Sequence, residues 1–287
     1  MIPKRVLLIG STGGVGGALA TRLMASGYHV IGTCRTRKQQ KYLLDQSLCH
    51  TAVVLDLSRT RSITQAFQDL KEKGVETLAA SINCAAITQS ALLEHMQQAD
   101  FERIMQVNVA GTFHAARLSL PLLKNCKGRL IFIGSSGGDM ALPALGAYSA
   151  SKFALEALAD TFRRELAGYQ VPVSLIKPGA IKSNMTLKHL EALDAIIVGN
   201  PQRLNKQTLK HYRAHRARMA YGYRTGVEPD EVATTVFKAL QDKQPNARYM
   251  VGAQPTLINF SSRLLPDRLK DRLLENIMTG ESSDRED

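Results

Sequence analysis

The sequence predicts one α/β domain, a doubly wound, seven-stranded, mainly parallel sheet with helices on both faces. Three observations predict it. Short β-rich runs alternate with helix-length segments. Most of those runs are apolar without a break, as strands buried on both faces are. A glycine-rich turn joins the first run to the first helix. The length of 287 residues fits a single three-layer domain, and an apolar fraction of 44% supports a sizeable core.

The candidate strands are RVLLIG (5–10), HVIGTC (29–34), TAVVLD (51–56), TLAASIN (77–83), GRLIFIG (128–134), VPVSLIK (171–177) and ARYMVG (247–252). Helices are expected near 15–26, 60–73, 97–126, 149–168 and 229–243. In the fourth, Ala150, Phe153, Ala154, Ala157, Leu158, Thr161, Phe162 and Leu166 recur with a helical period. In the fifth, Pro229 stands where a first helical residue belongs. One segment breaks the alternation. Ala195 to Val227 holds no acidic residue but seven Lys or Arg, at 203, 206, 210, 213, 216, 218 and 224. It falls between the sixth and seventh strands, at a carboxyl edge of the sheet, where insertions cover ligands.

Several function classes are excluded on composition. No apolar run reaches the ~18 residues of a membrane span, so no transmembrane segment is expected. KRVLLIG imitates the start of a signal peptide, but the stretch after its two charges stops after five residues and runs into a glycine turn. The four cysteines (34, 49, 84 and 126) have no C-x-x-C spacing, which points to reduced thiols and a cytoplasmic protein. The seven histidines show no ligand spacing, so no metal site is expected. The net charge of +12 favours anionic ligands or surfaces. The basic residues of 195–227 are not interleaved with a recognition motif, and no nucleic-acid partner is expected.

VLLIGSTGGVGGALA reads as strand, glycine turn and helix start. Glycines there let backbone N–H groups approach a pyrophosphate, and the helix N-terminus adds partial positive charge. A tight β–α connection alone would use similar residues, but the position at the first strand–helix junction favours a dinucleotide. After the second strand comes TCRTRK. A carboxylate at this point would bind the ribose 2′-hydroxyl of NAD, whereas arginine receives a 2′-phosphate. Cys34 supplies no carboxylate and Arg35 and Arg37 follow it, so NADP(H) is expected over NAD(H).

AYSASKF (147–153) sets Tyr148 and Lys152 one helical turn apart, and none of the other seven tyrosines has a lysine four residues on. Together with the glycine turn, Asp56, NCAA (83–86), Asn108, Ser135 in FIGSSGG and KPGAIKS (177–183), the chain resembles the short-chain dehydrogenase/reductase family over residues 1 to about 252. Ser135 precedes Tyr148 by the family's usual interval. The departures are Ile9 before the first glycine, NCAA for Asn-Asn-Ala-Gly, and Ser183 for the usual threonine. NCAA and YSASK favour the ordinary short branch.

The resemblance implies a Rossmann domain over 1–287, with a small helical substrate lobe at 184–226 and a helical tail at 255–287. It implies an oxidoreductase acting on CH–OH groups, with Ser135, Tyr148, Lys152 and Asn108 as its catalytic set. Cofactor contacts are expected from Gly10, Ser11, Thr12, Gly14, Val15, Gly16, Arg35, Arg37, Asp56, Leu57, Asn83, Ala85, Tyr148, Lys152, Pro178, Gly179, Ile181 and Ser183. A free phenol is a poor acid/base at pH 7, so the Lys152 ammonium and an oxidised nicotinamide are expected to draw the Tyr148 pKa down. Ser135 would hold the substrate oxygen, and Asn108 would hold a water that relays protons to Lys152. The substrate is expected to be a hydrophobic ketone, aldehyde or alcohol of steroid, retinoid or lipid type, and the assembly a homodimer or homotetramer. The alternative function is a catalytically silent dinucleotide-binding sensor or scaffold. The tail at 260–278 carries Leu265, Leu269, Leu273 and Ile277 on one helical face, suiting it to dock on the body or a sister subunit, or to lie on a membrane surface.

Overall fold

The computed structural model describes residues 4–199, 204–252 and 265–272. The strands are β1 Arg5–Ile9, β2 His29–Cys34, β3 Thr51–Val54, β4 Ala80–Asn83, β5 Arg129–Ile133, β6 Val173–Pro178 and β7 Arg248–Val251. They form one sheet in the order β3-β2-β1-β4-β5-β6-β7, and every neighbouring pair is parallel. The helices are α1 Gly14–Ala25, α2 Arg37–Asp45, α3 Thr60–Glu72, α4 Gln98–Met105, α5 Thr112–Lys124, α6 Gly146–Glu165, α7 Asn184–Gly199, α8 Lys206–Thr225 and α9 Pro229–Gln241.

Each strand sends alternate side chains to opposite faces, and both faces are apolar. Leu7, Ile9, Leu130, Phe132, Val173 and Leu175 join a core with Ile63, Ala66 and Leu70 of α3, Ala115 and Leu123 of α5, and Leu155, Ala159 and Phe162 of α6. Val6, Leu8, Ile131 and Ile176 face the other way, onto Leu19 and Leu23 of α1, Leu43 of α2, and Val232, Val236 and Leu240 of α9. This is why the strand sequences show no polar alternation. The strand order reverses between β1 and β4, and the crevice outside the carboxyl ends at that point is where such sheets bind ligands.

Two local features depart from the expected elements. The stretch 37–45 is a helix, although RKQQKYLLD has no apolar stripe and buries only Leu43. Thr36 caps it by accepting a hydrogen bond from the Gln39 N–H. The single helix expected at 97–126 is three pieces, because Gln106–Gly111 takes the wider π winding. The Thr112 hydroxyl donates to the Val107 carbonyl (3.2 Å) and accepts from the Asn83 amide (2.8 Å), tying the widened turn to the end of β4. Such π-bulges cluster at functional sites, and this one carries Asn108. The lobe expected to be helical at 184–226 has two long helices among its described residues, α7 and α8, which leave and rejoin the body at one clasp. Ile181 bridges Val227, the Lys182 N–H donates to the Val227 carbonyl, and the Val227 N–H donates to the Ala180 carbonyl. Most of the expected tail, with Leu273 and Ile277, lies outside the described residues.

Candidate active site

The glycine turn leaves β1 through Gly10, whose φ of +89° is the left-handed conformation that glycine tolerates. A Cβ at Gly16 would come within 2.1 Å of the Gly10 carbonyl oxygen, so the first turn of α1 packs directly on the loop. Gly13 is the N-cap of α1; it makes no side-chain cap, and the first turn holds no acidic residue. The α1 N-terminus therefore presents uncapped N–H groups and an uncompensated dipole to the crevice, a fit for an anionic pyrophosphate. Thr12 and Gly14 are exposed on this rim and Val15 is half-buried behind it. Ser11 turns inward instead. Its hydroxyl donates to the Leu8 carbonyl (2.9 Å) and accepts from the Thr33 N–H (3.1 Å), locking β1 to β2.

At the end of β2, Arg35 and Arg37 are exposed and Cys34 is buried. The Cys34 thiol faces the core with Cys49, so this side chain is not the one that meets a ribose. Asp56 accepts from both the N–H (2.9 Å) and the hydroxyl (2.7 Å) of Ser58, and Leu57 is packed in the core. At the end of β4, the Asn83 side-chain amide oxygen accepts from the Ala85 N–H (2.9 Å). Ala85 backs directly onto Gly10, where an added Cβ would meet the Ala85 nitrogen at 2.9 Å.

Ser135 follows β5, and Tyr148 and Lys152 sit on α6. The Ser135 hydroxyl accepts from the Gly137 N–H (3.1 Å) and lies close enough to Tyr148 to influence its phenol. Lys152 is only 3% exposed, donates to the Ile133 carbonyl (2.8 Å), and holds its ammonium 5.5 Å from the Tyr148 ring centroid. The electrostatics differ from expectation. Burial pushes the Tyr148 phenol up, and the neighbouring Ser135 hydroxyl pulls it down by less. Lys152 is not among the causes because burial weakens the ammonium itself, lowering its pKa to about 8. In the protein alone, the phenol keeps its proton.

Asn108 uses its whole amide. The oxygen accepts from the Ile87 N–H (2.8 Å), while the nitrogen donates to the Ile87 carbonyl (2.8 Å) and the Ser151 hydroxyl (3.0 Å). Ser151 in turn donates to the Tyr148 carbonyl (2.7 Å), so Asn108 braces the turn of α6 that carries Tyr148 and Lys152. Ile87 and Ser151 carry no motif signal, and only the fold shows them as Asn108's partners.

Past β6, the Gly179 N–H donates to the Val251 carbonyl (3.2 Å), and the Ser183 hydroxyl lies 3.2 Å from that of Thr186 in the first turn of α7. Pro178, Gly179, Ile181 and Ser183 thus line the strand end and the root of the lobe. The basic residues of the lobe separate in space. Arg213 is exposed, Arg216 holds Asp194 of α7 by two bonds (2.8 and 3.0 Å), and Arg218 is half-buried.

Comparison with known proteins matches residues 4–194 to the short chain dehydrogenase family model. The chain is 29% identical over 278 residues to an NADPH-dependent 3-dehydrocapnine reductase of Ornithobacterium rhinotracheale, covering 94% of this chain and 95% of that protein. It is 34% identical over 185 residues to mouse retinol dehydrogenase 7, covering 64% of this chain and 58% of that protein. Among solved structures, a short-chain dehydrogenase from Streptomyces avermitilis superposes with a TM-score of 0.76 at 22% identity, over 99% of each chain. The family match begins beside β1 and ends within α7, so it takes in the glycine turn, Asn108, Ser135, Tyr148 and Lys152. The chain therefore belongs to the short-chain dehydrogenase family, oxidoreductases that bind nicotinamide dinucleotides and transfer hydride.

Proposed function

We propose that this protein interconverts a ketone or aldehyde and an alcohol using NADP(H), with Tyr148 as general acid/base. The observation that carries the reading is the gathering of Ser135, Tyr148 and a buried Lys152, whose ammonium lies 5.5 Å from the Tyr148 ring centroid. The dinucleotide supplies or accepts the hydride. The uncapped start of α1 binds its pyrophosphate, Lys152 holds the nicotinamide ribose, and Arg35 with Arg37 receives the adenosine 2′-phosphate. Ser135 orients the substrate oxygen. A Tyr148 that keeps its proton at neutral pH suits donation to a carbonyl oxygen, and so suits reduction. Asn108 acts as a positioning residue through Ile87 and Ser151.

NADPH use by the relative from Ornithobacterium rhinotracheale supports the cofactor assignment, and the likeness to retinol dehydrogenase 7 supports a hydrophobic substrate. A charge-assisted hydrogen bond contributes roughly 1.5–3 kcal/mol, which corresponds to a ~10- to 100-fold preference for NADPH over NADH. Fluorescence titration with both nucleotides measures that preference, and equal or tighter NADH binding rejects the arginine assignment. A carbonyl screen with NADPH, read at 340 nm, then tests the chemistry. Tyr148→Phe should lower turnover by ~10²-fold or more while NADPH affinity stays within a few-fold. Retention of most activity would remove Tyr148 as the proton donor.

A further inference from the structure

Four polar side chains from three distant parts of the chain meet where the lobe rests on the body. The Arg218 guanidinium donates to His215 Nδ1 (2.8 Å). His215 Nε2 lies 3.0 Å from the Ser90 hydroxyl, which lies 3.2 Å from His189 Nδ1. The proton positions follow from chemistry. A guanidinium can only donate, so His215 Nδ1 must accept. His215 is fully buried, and burial with the neighbouring Arg218 and His189 holds its pKa near 3, so the ring is neutral and Nε2 carries its hydrogen. The Ser90 hydroxyl accepts that hydrogen, and its own has His189 Nδ1 (3.2 Å) and Met219 Sδ (3.9 Å) within reach. The His215 contact, anchored on Ser90, fixes the direction of Arg218.

Among the described residues, no carboxylate pairs with Arg218. Asp194, on the facing helix, is already held by Arg216. Burial shifts the Arg218 guanidinium down to about 10, with no opposing charge beside it among the described residues. A guanidinium partly drawn out of water without a counter-charge is costly, and a bound anion at this point would relieve that cost. The Thr88 hydroxyl, two residues before Ser90, is also buried without a partner among the described residues. This corner borders the reaction site. Ile87 is bonded to Asn108, and the Ala91 N–H donates to the carbonyl of Ala144, between Ser135 and Tyr148.

We infer that Arg218, held by His215 and Ser90, binds an anionic group of the substrate, a carboxylate or phosphate on an otherwise apolar molecule. The inference rests on the lobe covering the substrate, as in the function proposed above. The apolar remainder would lie along the neighbouring cluster of Leu92, Leu193, Ile196 and Met219. Arg216 and Arg213 take no part, being paired and exposed respectively.

Calorimetric titration of the NADPH-loaded protein with octanoate, octyl phosphate and octan-1-ol tests this without turnover, because the reduced cofactor cannot oxidise the alcohol. One or both anions should bind ~10-fold or more tightly than the alcohol. Arg218→Met should remove that preference while alcohol and NADPH binding stay within a few-fold, and Arg218→Lys should keep part of it. If Arg218→Met does not fold, wild-type titrations with Arg213→Gln and His215→Asn decide. The anion preference should survive the first and fall in the second. Equal binding of anions and alcohol, or a preference that survives Arg218→Met, overturns the inference. Loss of turnover in Tyr148→Phe tests the proposed chemistry separately and leaves these titrations unchanged.

Discussion

At the scale of single residues, the site depends on what burial does to charge. Lys152 has an ordinary pKa of 10.5 and sits near 8 in the folded protein. The sign of the resulting stability effect follows directly. Between about pH 8 and 10.5 the unfolded chain binds the proton that the folded chain has released, so stability rises with pH across that window. Below it, folding carries the full cost of burying an ammonium, on the order of 3 kcal/mol. Lys152→Met removes that cost. The variant should be more stable than wild type at pH 7, and the gap in melting temperature should close as pH rises to 10. Parallel melting curves across that range would show that Lys152 is not desolvated. Tyr148 is shifted in the opposite sense for the same physical reason, because burial penalises a phenolate as it penalises an ammonium. The pair was legible in the sequence as a spacing. The balance between mutual attraction and burial was not, because depth is set by β5, whose Ile133 carbonyl receives the ammonium.

At the scale of elements, a buried ionic knot sets Ser135 against α6. Lys177, in the last turn of β6, is fully buried and pairs with Asp139 (2.6 Å) and Glu156. Asp139 lies four residues past Ser135, and Glu156 lies four residues past Lys152. Arg248 of β7 closes the knot on Glu156 (2.7 Å) and Asp160 (3.1 Å). Removing one member of a buried ion cluster strands the others, at a cost of about 3–5 kcal/mol. Lys177→Met should lose that much in urea unfolding. Arg22→Ala, which breaks a solvent-exposed pair with Asp230, should lose about 1 kcal/mol or less. Equal losses would mean that the knot is solvated. The elements differed in legibility for reasons of the same kind. Strands buried on both faces and the striped α6 announce themselves by apolar pattern. The helix α2 buries one side chain and leaves no stripe. The π turn at 106–111 depends on bonds from Asn83 and Thr112, which local sequence does not encode.

At the scale of the whole molecule, the family match ends within α7, and the remainder of the lobe is joined to the body through very close backbone packing. A Cβ at Gly226 would fall 2.4 Å from the Gly222 carbonyl oxygen and 2.6 Å from that of Ala180. At Gly222 the nearest atom is the Ala180 methyl, at 2.9 Å. These glycines let the end of α8 lie against the strand-end loop that holds Ile181 and Ser183, so the lobe's seat and the proposed cofactor crevice share one wall. The basic run was legible as an unusual segment, but its division into a paired Arg216, an exposed Arg213 and a half-buried Arg218 depends on α7, which supplies Asp194 and His189. Gly226→Ala must move backbone rather than a side-chain tip, at a cost of ~1–3 kcal/mol. That cost falls on the clasp with Val227, so the lobe should open more often while the sheet stays intact. Trypsin reads this directly, because α8 carries Lys206, Lys210, Arg213, Arg216, Arg218 and Arg224. Limited proteolysis of Gly226→Ala should cut within 206–224 at least several-fold faster than in wild type, with cleavage elsewhere unchanged. Gly222→Ala, which meets only a methyl group, should show a smaller increase. Equal cleavage rates in all three proteins would mean that the lobe is held by its helix–helix contacts and not by the glycine seat.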